Sequence, residues 1–140
     1  MIKKFFKIIV ILLIIPSPVQ SNNLYFEEGL DLFKNKKFNE AKFKFEQDIV
    51  FNPKSEKSYL FLSKIFKNLE EKELEEKNLN TVILLNPNNE EAIYNLAKLK
   101  LDSSDYKRSM ELNEKLKNLC DKFCIKSKKL KIEIENLSKK

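Results

Sequence analysis

Two asparagine-proline pairs, Asn52-Pro53 and Asn86-Pro87, stand 34 residues apart. The same offset carries Tyr25 onto Tyr59, Leu32 onto Phe66 and Phe45 onto Leu79, and it carries Gly29 onto Ser63 and then Ala97, all small. Self-similarity at this period marks an array of helical hairpins, in which each unit buries its apolar side only by stacking on its neighbours. A chain built this way presents an extended surface rather than enclosing a reaction pocket.

The 140 residues leave room for one domain. The first 21 read as a separate segment. Lys3, Lys4 and Lys7 give a positive start, Ile8 to Ile15 is an unbroken apolar run, and Pro16 and Pro18 follow it. Val19-Gln20-Ser21 suits a cleavage site, so residues 1–21 are expected to be a signal peptide. An uncleaved membrane anchor is the alternative, although Phe5 to Ile15 falls short of the roughly 20 apolar residues a spanning helix needs. The rest divides into units at 22–55, 56–89 and 90–123, with 124–140 left as one further helix. That arithmetic predicts three helix pairs and a terminal helix, and three units is about the minimum for a continuous core.

Composition removes several function classes. The chain has no His and no Trp, and one Gly. Without His there is no Ser/His/Asp set and no His-ligated metal site; with one Gly there is no glycine-rich phosphate loop. The formal charge of +6 falls to +3 once Lys3, Lys4 and Lys7 are set aside. Arg108 is the one arginine, so the forked donors that read phosphates and base edges are lacking. No catalytic residue, metal, cofactor or nucleic-acid partner is expected.

Numbered from Asn22, Glu56 and Glu90, each unit has two helices. In the first, Tyr25, Gly29 and Leu32 share one face, and Phe38, Ala41 and Phe45 share another. Gly29, at repeat position 8, marks the closest approach of the two helices. With Phe38, Ala41, Phe45 and Pro53 at their spacings, this pattern resembles the tetratricopeptide repeat family over essentially all of the chain after residue 21. The resemblance implies an all-α, right-handed α-solenoid of three antiparallel helix pairs plus one capping helix. Departures occur at Glu75 (position 20), Lys100 (position 11) and Asn113 (position 24), and they bear on the packing of the second helices of units two and three. In the last segment Leu130, Ile134 and Leu137 form a helical stripe, with Ile132 off it.

Cys120 and Cys124 lie where the first two units have their Asn-Pro turn. A disulfide stapling the terminal helix across a helix-to-helix turn is the expected arrangement in an exported protein. A redox-active pair, a soft-metal site and two free thiols are the alternatives.

The resemblance also implies that the first helices line a concave face. Partner-binding residues are then Phe26, Leu30, Phe33, Leu60, Lys64, Lys67, Tyr94 and Lys98, an apolar patch with a basic rim. The competing reading makes Phe26, Phe33 and Leu60 ordinary core. A carboxylate-clamping branch of the family has Lys and Asn at positions 5 and 9 of its first repeat; Phe26 and Leu30 stand there, so that ligand is not implied. The expected function is a non-catalytic protein–protein interaction module, periplasmic or secreted. Two other readings stay open: a membrane-anchored subunit of an envelope assembly or secretion complex, and a thiol-redox or metal-handling protein.

Overall fold

The computed structural model describes residues 23–139; the expected signal peptide lies outside them. Among the described residues there are seven helices and no strands: α1 (Asn23–Lys34), α2 (Phe38–Phe51), α3 (Glu56–Asn68), α4 (Lys72–Leu85), α5 (Glu90–Asp102), α6 (Tyr106–Leu119) and α7 (Cys124–Leu137). They form three antiparallel pairs, α1/α2, α3/α4 and α5/α6, with α7 packed on the last. Each helix touches the next in sequence. The first helices of neighbouring pairs also meet, α1 with α3, and α5 meets α7, whereas the second helices make no comparable approach to one another. The first helices therefore line the inner side.

The turns repeat with the sequence period even where the residues do not. Lys36, Glu70 and Ser104 occupy the same repeat position and have φ of 59°, 60° and 61°. In each turn the two N–H groups after the helix reach back to its last carbonyls. Lys36 and Lys37 donate to Phe33 and Leu32, Glu70 and Glu71 to Lys67 and Phe66, and Ser104 and Asp105 to Leu101 and Lys100. This is a left-handed helix stop that usually takes Gly. Here three side chains tolerate it, at a cost of about 1 kcal/mol each. At the other edge, the Asn52 and Asn86 N–H groups donate to Asp48 and Val82, closing both Asn-Pro turns alike.

The third turn uses different chemistry. Cys120 and Cys124 are joined by a disulfide with a Cα–Cα distance of 5.2 Å. Cys120 lies just past the end of α6 and Cys124 opens α7, so the bond spans a turn rather than one helix. The Glu90 carboxylate grips the residues between them: Oε1 accepts from Asp121 N–H at 2.9 Å, and Oε2 from Lys122 and Phe123 N–H at 3.0 and 2.8 Å. Those donors, Asp121 first, hold its pKa below the usual carboxylate value. Glu56, one repeat earlier, does the same job for the Asn-Pro turn by accepting from the amides of Asn86 and Asn89.

Buried apolar side chains fall into two clusters rather than one. Phe26, Ala41, Phe45, Leu62, Ile65 and Phe66 close the first pair onto α3. Leu60, Leu79, Val82, Ile93, Leu96, Leu112, Leu116, Leu130 and Ile134 are among those that fill the space from α3 to α7. Leu130 and Ile134 are buried as the stripe in the last helix predicts, but Leu137, its third member, is 36 % exposed. It is the last residue of α7.

The departures, Glu75 on α4, Lys100 on α5 and Asn113 on α6, do not interrupt their helices. Lys100 pairs with Glu76 of α4, a second helix, at 2.6 Å. Glu75 sits in the first turn of α4, where the helix dipole favours an acid, and is 5 % exposed. Burial, reinforced by Asp102 and opposed by Lys67 and Lys72, raises its pKa. A carboxyl that binds its proton more tightly when folded loses stability as pH rises through that raised pKa. Glu75→Gln is therefore expected to raise the melting temperature by a few degrees at about pH 7, with the gain vanishing near pH 4. Thermal melts across that range check the sign; a gain that is the same at both ends would assign the effect to something other than the buried charge.

Candidate functional site on the inner helices

The inner face is built from α1, α3 and α5, with α7 at its end. Between α1 and α3 the aromatic side chains form one seam. Phe61 lies 5.1 Å from Phe33 and 5.8 Å from Phe26, both edge-on, and stacks on Phe45 at 5.2 Å. Phe33 also meets Phe38 at 5.5 Å. Phe33, Phe61 and Leu30 are half-buried, so the seam keeps an open side.

Lysines cover it. The Lys64 ammonium sits 4.7 Å from the centre of the Phe61 ring and 2.8 Å from Glu91 of α5. Lys57 lies 5.9 Å from the Phe26 ring. Lys67 is exposed and makes no ion pair among the described residues. It borders a shallow cavity of about 430 Å³ shared with Glu75, Leu99 and Asp102.

The α5 end is more occupied. Tyr94 packs against Phe123 at 5.6 Å, with the Lys126 ammonium 4.1 Å from Phe123 and 5.3 Å from Tyr94. Lys98 binds Glu133 of α7 at 2.8 Å and lies 3.9 Å from Asp102. Burial alone would lower the Lys98 pKa, but the hydrogen bond and charge of Glu133, helped by Asp102, outweigh it and raise the value. Lys98 thus stays cationic while its charge is answered from within the chain.

The eight sequence-predicted binding residues therefore separate. Phe26 and Leu60, each 9 % exposed, belong to the core, as the competing reading of them holds. A small rotation of α1 and α3 about their axes turns these two positions inward. Leu30, Phe33 and Lys64 come together at the seam between the first two pairs, whereas Lys67 lies over the cavity it shares with Glu75, Leu99 and Asp102. Tyr94 and Lys98 are reached first by α7. Phe61 was missed, because it occupies repeat position 6, outside the positions assigned to the inner face. Its signal was the contiguous Tyr59-Leu60-Phe61-Leu62 run, which offers apolar side chains to every side of α3. No cluster of three or more potential metal ligands occurs among the described residues.

This geometry defines a class: short helix-pair solenoids whose first helices line an inner surface. No protein-family model matches the chain. No curated protein matches it in sequence either. Solved structures do match, and several are tetratricopeptide-repeat domains. The chain is similar to the TPR2B domain of yeast Sti1 in its pHsp70 complex (TM-score 0.77, 14 % identity, 84 % of this chain and 98 % of that one). It is similar to the first TPR of Spaghetti (RPAP3) bound to the HSP90 peptide SRMEEVD (0.75, 16 %, 85 % and 94 %). It is also similar to the Yersinia enterocolitica type III secretion chaperone SycD in complex with a peptide of the translocator YopD (0.76, 13 %, 89 % and 100 %). The fold is that of a tetratricopeptide-repeat domain, as the 34-residue register predicts.

Proposed function

We propose that this chain is a non-catalytic protein-interaction module that holds an acidic, partly apolar segment of a partner protein against α1 and α3. The observation that carries the reading is the half-open aromatic seam of Leu30, Phe33 and Phe61 with the Lys64 ammonium above it, and exposed Lys67 further along the same helix. Apolar side chains from a bound segment would extend the seam, and its carboxylates would meet the exposed Lys67 ammonium and compete with Glu91 for Lys64. Proteins of the same fold are solved with peptides bound, which supports the reading.

The compartment belongs to the same proposal. Residues 1–21 have the layout of an export signal, and a disulfide persists best outside the cytosol, so we place the chain in the cell envelope or outside the cell.

The test is crosslinking capture from the envelope fraction, with the recovered partner then titrated against the purified chain. Lys64→Glu combined with Lys67→Glu reverses two charges on the inner face without entering the core. We expect roughly a tenfold or greater loss of affinity, growing weaker as salt is added. Unchanged binding by that variant would remove the site. Phe26→Ala is not a useful probe, since the side chain is core.

A further inference from the structure

Ala41 and Ser109 occupy repeat position 20 in units one and three, and both are fully buried. Unit two has Glu75 there, and its neighbours change with it. Phe33 and Phe38, whose rings meet at 5.5 Å in unit one, are replaced in unit two by Lys67 and Lys72. An apolar contact in one unit becomes, one repeat on, a charged cavity of about 430 Å³, lined by Lys67, Glu70, Lys72, Glu75, Leu99 and Asp102.

Glu75 and Leu99, 5 % and 6 % exposed, form the floor of this cavity, and the other four residues are exposed at its rim. The Glu75 carboxylate is desolvated and accepts no hydrogen bond among the described residues. Lys67 and Lys72 act on it through their fields, but neither forms an ion pair with it. Asp102 adds a second negative charge nearby. The Lys98 ammonium, 3.9 Å from Asp102, is held more closely by Glu133 at 2.8 Å. The lining thus sets three carboxylates against two ammonium groups, and its deepest charged group is an acid. A buried acid without donors costs stability, which is why Glu75→Gln is expected to raise the melting temperature. Such a cost is tolerated where a ligand supplies the missing donors.

We infer that this cavity receives the guanidinium or ammonium end of a basic side chain in the segment held on the inner helices. The inference rests on the function proposed above and adds to that segment a basic residue between its acids. The cation would donate to Glu75 and Asp102 while its methylene stem lies along Leu99. Flanking carboxylates of the same segment would meet Lys67 and Lys72 at the rim, so every charge of the lining is answered. Arginine suits the floor better than lysine, because its planar fork gives two donors to one carboxylate and is more weakly hydrated.

The probe is N-acetyl-arginine amide, with N-acetyl-citrulline amide as its neutral counterpart of nearly the same shape. Titrated into the purified chain at about pH 7, the arginine probe should shift the Glu75 side-chain carboxyl resonance to saturation, and the citrulline probe should not. Glu75→Gln, which is expected to fold at least as stably, should weaken binding of the arginine probe about tenfold or more. Lys64→Glu should leave that binding unchanged. A Glu75 resonance that the arginine probe does not move, equal binding of the two probes, or unchanged affinity in Glu75→Gln would overturn the inference. The captured partner separates the cavity from the seam. It should lose affinity with Lys64→Glu and with Glu75→Gln, and the second loss should disappear once the partner's basic residue is itself changed to Gln. Loss with Lys64→Glu alone would leave the seam standing and remove the cavity; loss with Glu75→Gln alone would do the reverse.

Discussion

Phe45→Ala is expected to destabilise the fold by about 3–5 kcal/mol, the largest loss from a single side-chain truncation in this chain. Phe45 is fully buried, stacks on Phe61 and lies 5.7 Å from Phe26, so its ring joins α2 to both inner helices of the seam. It also explains Gly29. A Cβ on Gly29 would lie 2.9 Å from the Cε1 of Phe45, closer than packed carbons tolerate. The ring therefore uses the space that glycine leaves, and the two residues are one packing unit.

A double-mutant cycle exposes that coupling. Gly29→Ala gains about 1 kcal/mol of helix propensity but forces the ring to move, with overpacking that typically costs 1–3 kcal/mol. In the wild-type background the sum is a net loss. With Phe45→Leu in place two of the three crowding ring atoms, Cε1 and Cζ, are gone, and the same Gly29→Ala change should cost clearly less or become stabilising. Urea unfolding of the four proteins measures the interaction directly. A Gly29→Ala effect that is identical in both backgrounds would show that the glycine is there for another reason.

The contrast between legible and illegible features follows from what repeats. The 34-residue period records what the units share: a small residue at position 8, packed against Phe45 in the first unit, and in the first two units Asn-Pro turns closed by the same backbone bonds. Those contacts specify helices, pairing and order without any tertiary information. The left-handed turn residues Lys36, Glu70 and Ser104 were hidden because backbone geometry there recurs without a recurring residue. Glu90 was hidden for a different reason. Its role depends on three N–H groups some thirty residues ahead, and nothing local marks a glutamate as the holder of a distant turn.

The inner face was only partly legible, since a rotation of one residue about a helix axis exchanges core and surface. Tyr59-Leu60-Phe61-Leu62 is apolar throughout, so the sequence has no polar position from which to fix that rotation. Packing decides it, placing Leu60 and Leu62 in opposite core clusters and leaving Phe61 between the inner helices. Lys98 failed as a free charge because its partner, Glu133, comes from the capping helix, which lies outside the repeat register.

Asn113→Leu is expected to stabilise the protein by about 1–3 kcal/mol. Asn113 occupies the repeat position held by Phe45 and Leu79, and like them it is fully buried. Both polar atoms of its amide lack a hydrogen-bond partner within the protein. It sits on α6 where α7 packs; the Ser127 hydroxyl of α7 reaches its backbone carbonyl at 3.5 Å, not its side chain. Leucine has nearly the same volume, so the exchange removes desolvated polar atoms without opening a cavity or forcing a rotamer. The neighbouring Leu112, Leu116, Leu130 and Ile134 already form an apolar wall around the seam between α6 and α7. Asn113→Ala separates the two contributions. It deletes the amide but leaves a void, so it should fall below the leucine variant by about the cost of a small cavity. Chemical denaturation ranks the three proteins, and leucine at or below wild type would mean that an ordered water satisfies the amide and that this position is polar by design.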